Sequence, residues 1–260
     1  MRITILGTRG SIPTSGRDMV EYGCATTCVL VQAGDQAIFL DAGTGIIKAP
    51  DVGEEHISVL ISHPHLDHIL GLPFFSYLTD RHRTIDLYAR KTEGDGIRQN
   101  IDRVFDMPIW PCTMDDYQAK VKMHDVELPI MIGDVRIEGV ESNHPGGGTV
   151  YKLSYKGKSI VFATDYEYDE SKAAKLVELS RDTDVLFFDG QYTEKEIEEK
   201  RGYGHSTVKD GLKVMRESGA KSIRFVHHDP THNDEMLRQM ESEVEAYNIR
   251  FAREGEVFIL

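Results

Sequence analysis

The feature that most constrains this chain is a dense group of metal-binding residue types directly after an apolar stretch. Residues 57–61 have the length and composition of a strand, and His63, His65, Asp67 and His68 follow them. Alternation along an extended chain points His63, His65 and Asp67 to one side, and a turn into a helix brings His68 close. Imidazole and carboxylate groups suit Zn²⁺, Mn²⁺ or Fe²⁺. The group therefore predicts a metal site at a strand end, and a solvated polar loop is the weaker alternative.

Short apolar runs bounded by turn residues recur along the whole chain. Their length and their content of Val, Ile, Phe and Tyr predict strands, and fewer stretches have helical periodicity. The predicted strands are 2–7, 27–33, 37–41, 58–62, 85–90, 134–141, 150–155, 159–164, 185–189, 222–227 and 256–260. The predicted helices are 70–78, 96–105, 171–179, 193–200, 207–218 and 234–247. Strands on both sides of a few helices indicate a layered α/β protein with mixed sheets.

Composition limits the class of protein and its partners. The chain of 260 residues suits one large domain, 1–260, because no composition break marks a linker. Its formal net charge is −13, and nucleic-acid binders neutralise phosphates with Lys and Arg, so long nucleic acid is a less expected partner. Three sparse cysteines fit a reducing compartment, and no run reaches the roughly 18 apolar residues of a membrane span. We therefore expect a cytoplasmic protein without a membrane partner.

Four further segments accompany the histidine group in an order typical of one superfamily. The segment from His63 to His68 resembles the His-x-His-x-Asp-His motif of the metallo-β-lactamase superfamily. Residues 40–45 resemble the Asp-x-Gly turn that precedes this motif, and His144 resembles the next metal ligand. Asp165 resembles the carboxylate that bridges two metals. The pair His227-His228 resembles the segment of the last histidine ligand.

This resemblance implies a four-layer αββα sandwich of two mixed β-sheets flanked by helices, with two divalent metal ions. Zn²⁺ is the first choice for both ions, and Mn²⁺ and Fe²⁺ are the alternatives. The implied ligands of one ion are His63, His65 and His144, and those of the other are Asp67, His68 and His227, with Asp165 between them. His227 is preferred to His228 because it falls at the end of a predicted strand, and His228 would then contact a ligand instead of a metal.

Two other parts of the chain resemble the ribonuclease Z-like branch of phosphodiesterases. Residues 6–13 and 22–28 resemble its Gly-rich start and small-polar strand, and residues 204–207, Gly-His-Ser-Thr, resemble its His-Ser-Thr motif. The motif implies that His205 lies near the scissile phosphate, where it can donate a proton or a hydrogen bond. A simple helix cap is the alternative for this segment. The chain lacks a long Gly/Pro-rich arm for tRNA, which argues against tRNA maturation.

The resemblance implies a metal-dependent hydrolase, a phosphodiesterase that acts on small or cyclic phosphodiesters. Two metal ions about 3.5–4 Å apart would share a hydroxide of lowered pKa. Asp67 would accept a hydrogen bond from this nucleophile, and His205 would stabilise the developing oxyanion or protonate the leaving oxygen. The alternatives are a carboxyl-type hydrolase (thioesterase, lactonase or lactamase), an RNA-processing nuclease and, less expected, a non-catalytic metal-bound scaffold.

One segment, 91–131, is weakly patterned and contains a Trp between two prolines. It could be a packed insertion or a flap that forms part of the substrate pocket. A homodimer is common in the branch that the chain resembles, and it is the oligomer we would test first.

Overall fold

A computed structural model describes residues 1–91, 94–244 and 246–260. Its strands are β1 (Arg2–Gly7), β2 (Cys28–Ala33), β3 (Gln36–Leu40), β4 (His56–Leu60), β5 (Thr84–Arg90), β6 (Lys120–Val126), β7 (Ile130–Ile132), β8 (Val135–Glu141), β9 (Thr149–Tyr155), β10 (Lys158–Ala163), β11 (Val185–Asp189), β12 (Ile223–Val226), β13 (Ile249–Phe251) and β14 (Val257–Ile259). Its helices are α1 (Leu66–Ile69), α2 (Ile97–Val104), α3 (Ala174–Leu179), α4 (Ile197–Lys200), α5 (Val208–Ser218) and α6 (Asp234–Ser242), with 3-10 helices at Thr44–Lys48, Leu72–Phe74, Ser76–Thr79 and Met114–Asp116.

In the described residues these strands form two mixed sheets of seven strands each. The first sheet has the order β14-β1-β2-β3-β4-β5-β6, and the second has the order β13-β12-β11-β10-β9-β8-β7. Neighbours from β3 to β6 run parallel, as do those from β10 to β13. The remaining pairs are antiparallel.

Alternation along the strands sorts the apolar side chains into separate layers. On β3, Ile38 points into the core between the sheets, while Phe39 points to the opposite face and joins the core under α1 and α2. The outer face of the second sheet packs against α3, α5 and α6, which contribute Leu176, Val214 and Leu237. Three apolar cores separated by two sheets make the four-layer αββα sandwich that the family resemblance implies, and this prediction is confirmed.

The parallel strands gather chemistry-bearing residues at one edge of both sheets. Asp41 follows β3, His63 follows β4, Asp165 follows β10, Asp189 ends β11 and His227 follows β12. The carboxyl ends of parallel neighbours lie at the same edge of a sheet, and ligands of α/β proteins bind in the crevice outside those ends. The fold therefore brings together residues that are far apart along the chain.

Several predicted element bounds are wrong. The predicted helix 70–78 is two short 3-10 helices, because Pro73 has no N–H for a continuous α-helix. The predicted helix 234–247 ends at Ser242, and residue 245 lies outside the described residues. Strands β6, β7 and β13 lie outside the predicted stretches, and each is an edge strand. An edge strand mixes polar and apolar residues because water or a loop covers part of it, which removes the pattern on which prediction depends.

The weakly patterned segment 91–131, of which residues 92 and 93 are not described, contributes to the first sheet and its outer layer. It contains α2 and β6, and β6 pairs with β5 along seven residues. Trp110 packs against this layer, with its ring 5.7 Å from Phe74 and 5.8 Å from Phe105. Met107 and Ile109 beside it are each 70% exposed.

Across the part of the chain that the structure describes, we find no helix of the length and apolarity needed to cross a membrane.

Candidate metal and catalytic site

Seven of the predicted site residues lie in one cluster, where they form two groups that share a carboxylate. The first group is His63, His65, His144 and Asp165, with ligand atoms within 4.8 Å of one another. Nε2 of His144 lies 3.1 Å from Nδ1 of His65 and 3.6 Å from Oδ2 of Asp165. Two nitrogens bound to one Zn²⁺ at 2.0–2.1 Å in a tetrahedral site are about 3.3 Å apart, so these spacings suit one ion.

The second group is Asp67, His68, Asp165 and His227. Oδ1 of Asp165 lies 3.1 Å from Nε2 of His68 and 3.1 Å from Nε2 of His227. Oδ2 of Asp67 lies 3.2 Å from the same two nitrogens. Asp165 thus turns one oxygen to each group, as a carboxylate that bridges two ions would.

Hydrogen bonds made by Nδ1 fix the orientation of three of these imidazoles. Nδ1 of His68 donates to Asp41 over 2.8 Å, and Nδ1 of His63 donates over 3.0 Å to Ser62 Oγ, which in turn donates to Asp41. Nδ1 of His144 donates to the Gly204 carbonyl over 3.0 Å. Such contacts set the tautomer that leaves Nε2 for a metal.

Gln191 orients the last imidazole of the cluster and connects it to Asp67. Its side-chain oxygen accepts a hydrogen bond from Nδ1 of His227 over 2.8 Å, and its amide nitrogen donates to Ser11 Oγ over 3.3 Å. The backbone N–H of Ser11 donates to Oδ2 of Asp67 over 2.8 Å. Gln191 thereby links two residues of the second group through one short loop.

The donor atoms of the cluster, some of which lack hydrogen-bond partners, suit divalent cations. Among the described residues, Nε2 of His63 and Nε2 of His68 are buried without a hydrogen-bond partner. Burial lowers the pKa of His227, but Asp165 and Asp67 outweigh it and raise that pKa to about 9. Burial likewise raises the pKa of Asp67, and His68 and His227 outweigh it and lower that pKa below its ordinary value. The buried carboxylates thus demand positive charge, which divalent ions would supply.

His205 lies beside this cluster. Its ring stacks on that of His227 with centroids 4.9 Å apart, and it lies 5.3 Å from the ring of His144. Nδ1 of His205 donates to Oδ2 of Asp189 over 2.8 Å, so Nε2 is the nitrogen that can meet a substrate. The predicted helix cap also forms: Thr207 caps α5 and accepts from the Asp210 N–H, and Gly219 ends the helix. His205 precedes that cap, so the catalytic and capping interpretations of the segment are compatible.

A family model decides the classification. The Beta-lactamase superfamily domain model matches residues 36–228 of the chain, which include both groups of the cluster. The chain belongs to the metallo-β-lactamase superfamily. The family and the donor set together make it a metal-dependent hydrolase.

Relatives within the superfamily are distant in sequence and similar in fold. Ribonuclease Z from Haloarcula marismortui is 21% identical over 273 aligned residues, which cover 87% of this chain and 86% of that protein. The metallo-β-lactamase fold protein YhfI from Bacillus subtilis has a TM-score of 0.75 at 18% identity, covering 99% of this chain and 98% of that one. A diphosphatase from the PhnP family has a TM-score of 0.71 at 21% identity, covering 100% and 97%. At these identities the two structures show a shared fold.

The second histidine of the His227-His228 pair has a different environment from the first. His228 is fully buried, donates to the Ala252 carbonyl over 3.0 Å and packs its ring 5.7 Å from that of Phe251. Burial lowers the pKa of His228 to about 3, so it is neutral. Neither group of the metallo-β-lactamase cluster includes it, which agrees with the preference for His227.

Backbone strain marks the residues of the superfamily site. Asp41, Asp165, His227 and Ser11 have φ values of 58°, 52°, 62° and 62°, in the left-handed region. Non-glycine residues seldom adopt this conformation, and it costs roughly 1–2 kcal/mol each. The surrounding sheets hold these four residues in the orientation that the site needs.

Three supporting residues escaped prediction: Asp189, Gln191 and Glu167. Glu167 accepts the backbone N–H groups of Gly202 and Gly204, and so holds the loop whose carbonyl orients His144. Asp189 and Gln191 follow an apolar stretch that was predicted as a strand, and that position was the one available signal. Nothing in the sequence shows that Glu167 faces the loop at residues 202–204.

Proposed function

We propose that this chain is a phosphodiesterase that binds two divalent metal ions and hydrolyses small or cyclic phosphodiesters. The observation that carries the proposal is the position of His205, which stacks on His227 and is held through Nδ1 by Asp189. An imidazole fixed beside a metal cluster, with Nε2 turned away from its carboxylate partner, suits donation to a phosphate oxygen.

Different residues of the cluster would bind the metal ions and contact the attacking water. His63, His65 and His144 would hold one ion and Asp67, His68 and His227 the other, with Asp165 between them. Bound ions would act as Lewis acids on the phosphate and lower the pKa of a water molecule. Asp67 keeps one oxygen toward the N–H of Ser11 and is anionic, so it can accept a proton-donating contact from the attacking water.

His205 would act on the leaving group. Its Nε2 would donate a hydrogen bond or a proton to the leaving oxygen, and Asp189 would stabilise the charged imidazole. Because Asp189 is fully buried and His205 is 7% exposed, little water competes for these contacts.

The choice of Zn²⁺ rests on the donor set. Zn²⁺ is borderline in softness and binds both the five imidazoles and the two carboxylates of this set, which Mn²⁺ and Fe²⁺ also accept. Metal analysis of protein purified without added metal, together with reconstitution by each of the three ions, identifies the ion that supports turnover.

An RNA-processing nuclease is the second candidate, because the relative from Haloarcula marismortui is a ribonuclease Z. The net charge of −13 disfavours a long polyanion, since affinity for nucleic acid grows with the number of phosphates that Lys and Arg neutralise. A carboxyl-type hydrolase would use the same cluster on a carbonyl carbon but would not need His205.

A panel assay separates these functions. Metal-defined protein is offered bis-p-nitrophenyl phosphate, cyclic nucleotides, short RNA, a thioester and a lactone, and kcat/KM is measured for each. Highest kcat/KM on the small or cyclic diesters is the expected result. Preference for RNA, for a thioester or for a lactone would replace the proposal, and inertness toward every substrate would favour a non-catalytic scaffold.

Domain organisation and assembly complete the proposal. We propose that residues 1–260 act as one domain, with the segment 91–131 as part of the substrate-facing wall, and that two chains form a homodimer. Sedimentation equilibrium measures the mass in solution, and a mass of one chain at all concentrations rejects the dimer. A single cooperative unfolding transition is expected for one domain.

A further inference from the structure

A cavity of about 220 Å³ opens beside the first ligand of the metal cluster. Its walls come from the carboxyl ends of β4 and β5 and from the loop at residues 146–148. His63 belongs both to this wall and to the group with His65, His144 and Asp165. A substrate bound at the metal cluster could therefore extend one of its groups into the cavity.

Arg90 supplies a cation in this wall. It is the last residue of β5, and its Nε is buried without a hydrogen-bond partner among residues 1–91, 94–244 and 246–260. Within the same ranges, its guanidinium takes part in no ion pair. A buried donor without a partner costs free energy, and an anion in the cavity would remove that cost.

Two carboxylates also line the cavity, and each has a contact elsewhere. Oδ1 of Asp125 accepts the N–H of Ile97 over 2.9 Å at the start of α2. Asp95 pairs with Arg103 at 2.5 Å. These contacts occupy one oxygen of Asp125 and pair Asp95, and Arg90 is the one Lys or Arg among the described residues that line the cavity.

The opposite wall is shaped by glycines. Gly146 and Gly147 have φ values of 80° and 79°, which side chains resist. A Cβ on Gly147 would meet nothing within 4 Å, so space beside the loop stays open. The cavity is large enough for a phosphate group and part of the sugar that carries it.

We propose that Arg90 binds a second, terminal phosphate of the substrate while the scissile diester lies at the metal cluster. The inference deepens the proposed function and rests on it. A guanidinium suits this role because its planar fork can form two hydrogen bonds to one phosphate. The substrate class is then a small phosphodiester with a terminal phosphomonoester, and a substrate with the diester alone fills the site incompletely.

Two matched substrates test this directly. Adenosine 2′,3′-cyclic phosphate is compared with the same molecule carrying a 5′-phosphate, and the ratio of their kcat/KM values is measured. We expect roughly tenfold or greater preference for the 5′-phosphorylated substrate in the native protein, because hydrogen bonds to charged groups are among the stronger ones. Arg90→Met should bring the ratio close to one, and Arg90→Lys should give an intermediate ratio. Lys91→Met, which removes the neighbouring exposed cation, should keep the native ratio.

A binding measurement separates this inference from the proposed function. Metal-free protein is titrated calorimetrically with ribose 5-phosphate and with ribose, and we expect binding of the phosphate ester alone, weakened about tenfold or more by Arg90→Met. Equal rates on the two cyclic substrates, or a preference that survives in Arg90→Met, would overturn the inference and leave the phosphodiesterase proposal standing. If neither cyclic substrate is hydrolysed, the proposed function fails, and the titration alone decides whether Arg90 binds phosphate.

Discussion

Oδ2 of Asp189 accepts a hydrogen bond of 2.8 Å from Nδ1 of His205, while Oδ1 accepts the N–H of Gln191 over 3.1 Å. One buried carboxylate therefore holds the imidazole and begins the loop that orients His227. The contact fixes the tautomer of His205 and leaves Nε2 as the nitrogen that would meet a substrate in the proposed reaction.

His205→Ala should slow turnover and leave metal binding intact. The imidazole lies outside the two ligand groups, yet its ring lies 4.9 Å from that of His227. Loss of a general acid typically costs about 10²–10⁴ in rate, so kcat on adenosine 2′,3′-cyclic phosphate, whose leaving alkoxide needs a proton, should fall within that range. Metal content measured by mass spectrometry should stay at the native value, and a loss of metal would show that His205 is structural.

Asp189→Asn should lower kcat by at least about 10-fold, and by as much as roughly 10⁴-fold if His205 acts as the general acid, because an amide in place of the orienting carboxylate can hold the wrong tautomer. The amide cannot stabilise a charged imidazole, so the pH–rate profile should also change, which a purely structural role would not explain. Asp184→Asn is the matched control, because Asp184 precedes the same strand and pairs with Lys221 instead. An unchanged profile in Asp189→Asn would contradict the assignment.

His65→Ala should abolish activity and reduce the metal content. Nδ1 of His65 lies 3.1 Å from Nε2 of His144, so its loss opens one side of the first group. Treatment of the native protein with a chelator should lower Tm, because ligands that bind only the folded state stabilise it. Full diesterase activity in a rigorously metal-free sample would refute the metal-dependent scheme.

His227→Gln should affect metal binding, whereas His228→Gln should affect the stability of the fold. His227 faces Asp67 and Asp165, so its substitution should reduce metal content and activity together. His228 contacts the Ala252 carbonyl, so its substitution should lower the free energy of unfolding by about 1–3 kcal/mol and keep metal content. Denaturant unfolding and metal analysis of both variants check this, and loss of metal from His228→Gln alone would reverse the assignment.

Glu167→Ala should loosen the loop that follows Arg201. Its carboxylate accepts the N–H groups of Gly202 and Gly204 at 2.8–3.0 Å, and the Gly204 carbonyl orients His144. Changes at residues that orient a metal ligand typically cost about 10–100-fold in affinity or activity, so both kcat and metal affinity should fall. Glu170→Ala is the control, since the exposed Glu170 pairs with Lys213 instead. Equal effects of the two substitutions would argue against a specific role.

Sequence reasoning anticipated which residues come together where they lie close in the chain or end a strongly apolar strand. The dense segment from His63 to His68 predicted a metal site by itself, and His144, Asp165 and His227 were added only because they follow it in a familiar order. The structure brings their side chains together, and their role as metal ligands stays a prediction. The buried strand β11 was predicted with its bounds intact because all five of its residues are buried.

Prediction failed where structure depends on contacts between distant segments. Strand β6 has mixed polarity because it lies at a sheet edge, so its hydrogen bonds to β5 determine it more than its own pattern does. Glu167 binds backbone groups 35 and 37 residues further along, and no spacing in the sequence encodes that contact. The cavity beside Arg90 likewise exists only after the two sheets have packed.

The left-handed backbone at Asp165 and His227 also affects any attempt to raise the thermal stability of this protein. Glycine would fit both backbone conformations with less strain, so the replacements that relieve strain there are the ones that would remove the proposed ligands. A screen for heat resistance alone would, on this proposal, accumulate inactive variants at these positions. An engineer who wants both properties should select on bound metal as well as on temperature.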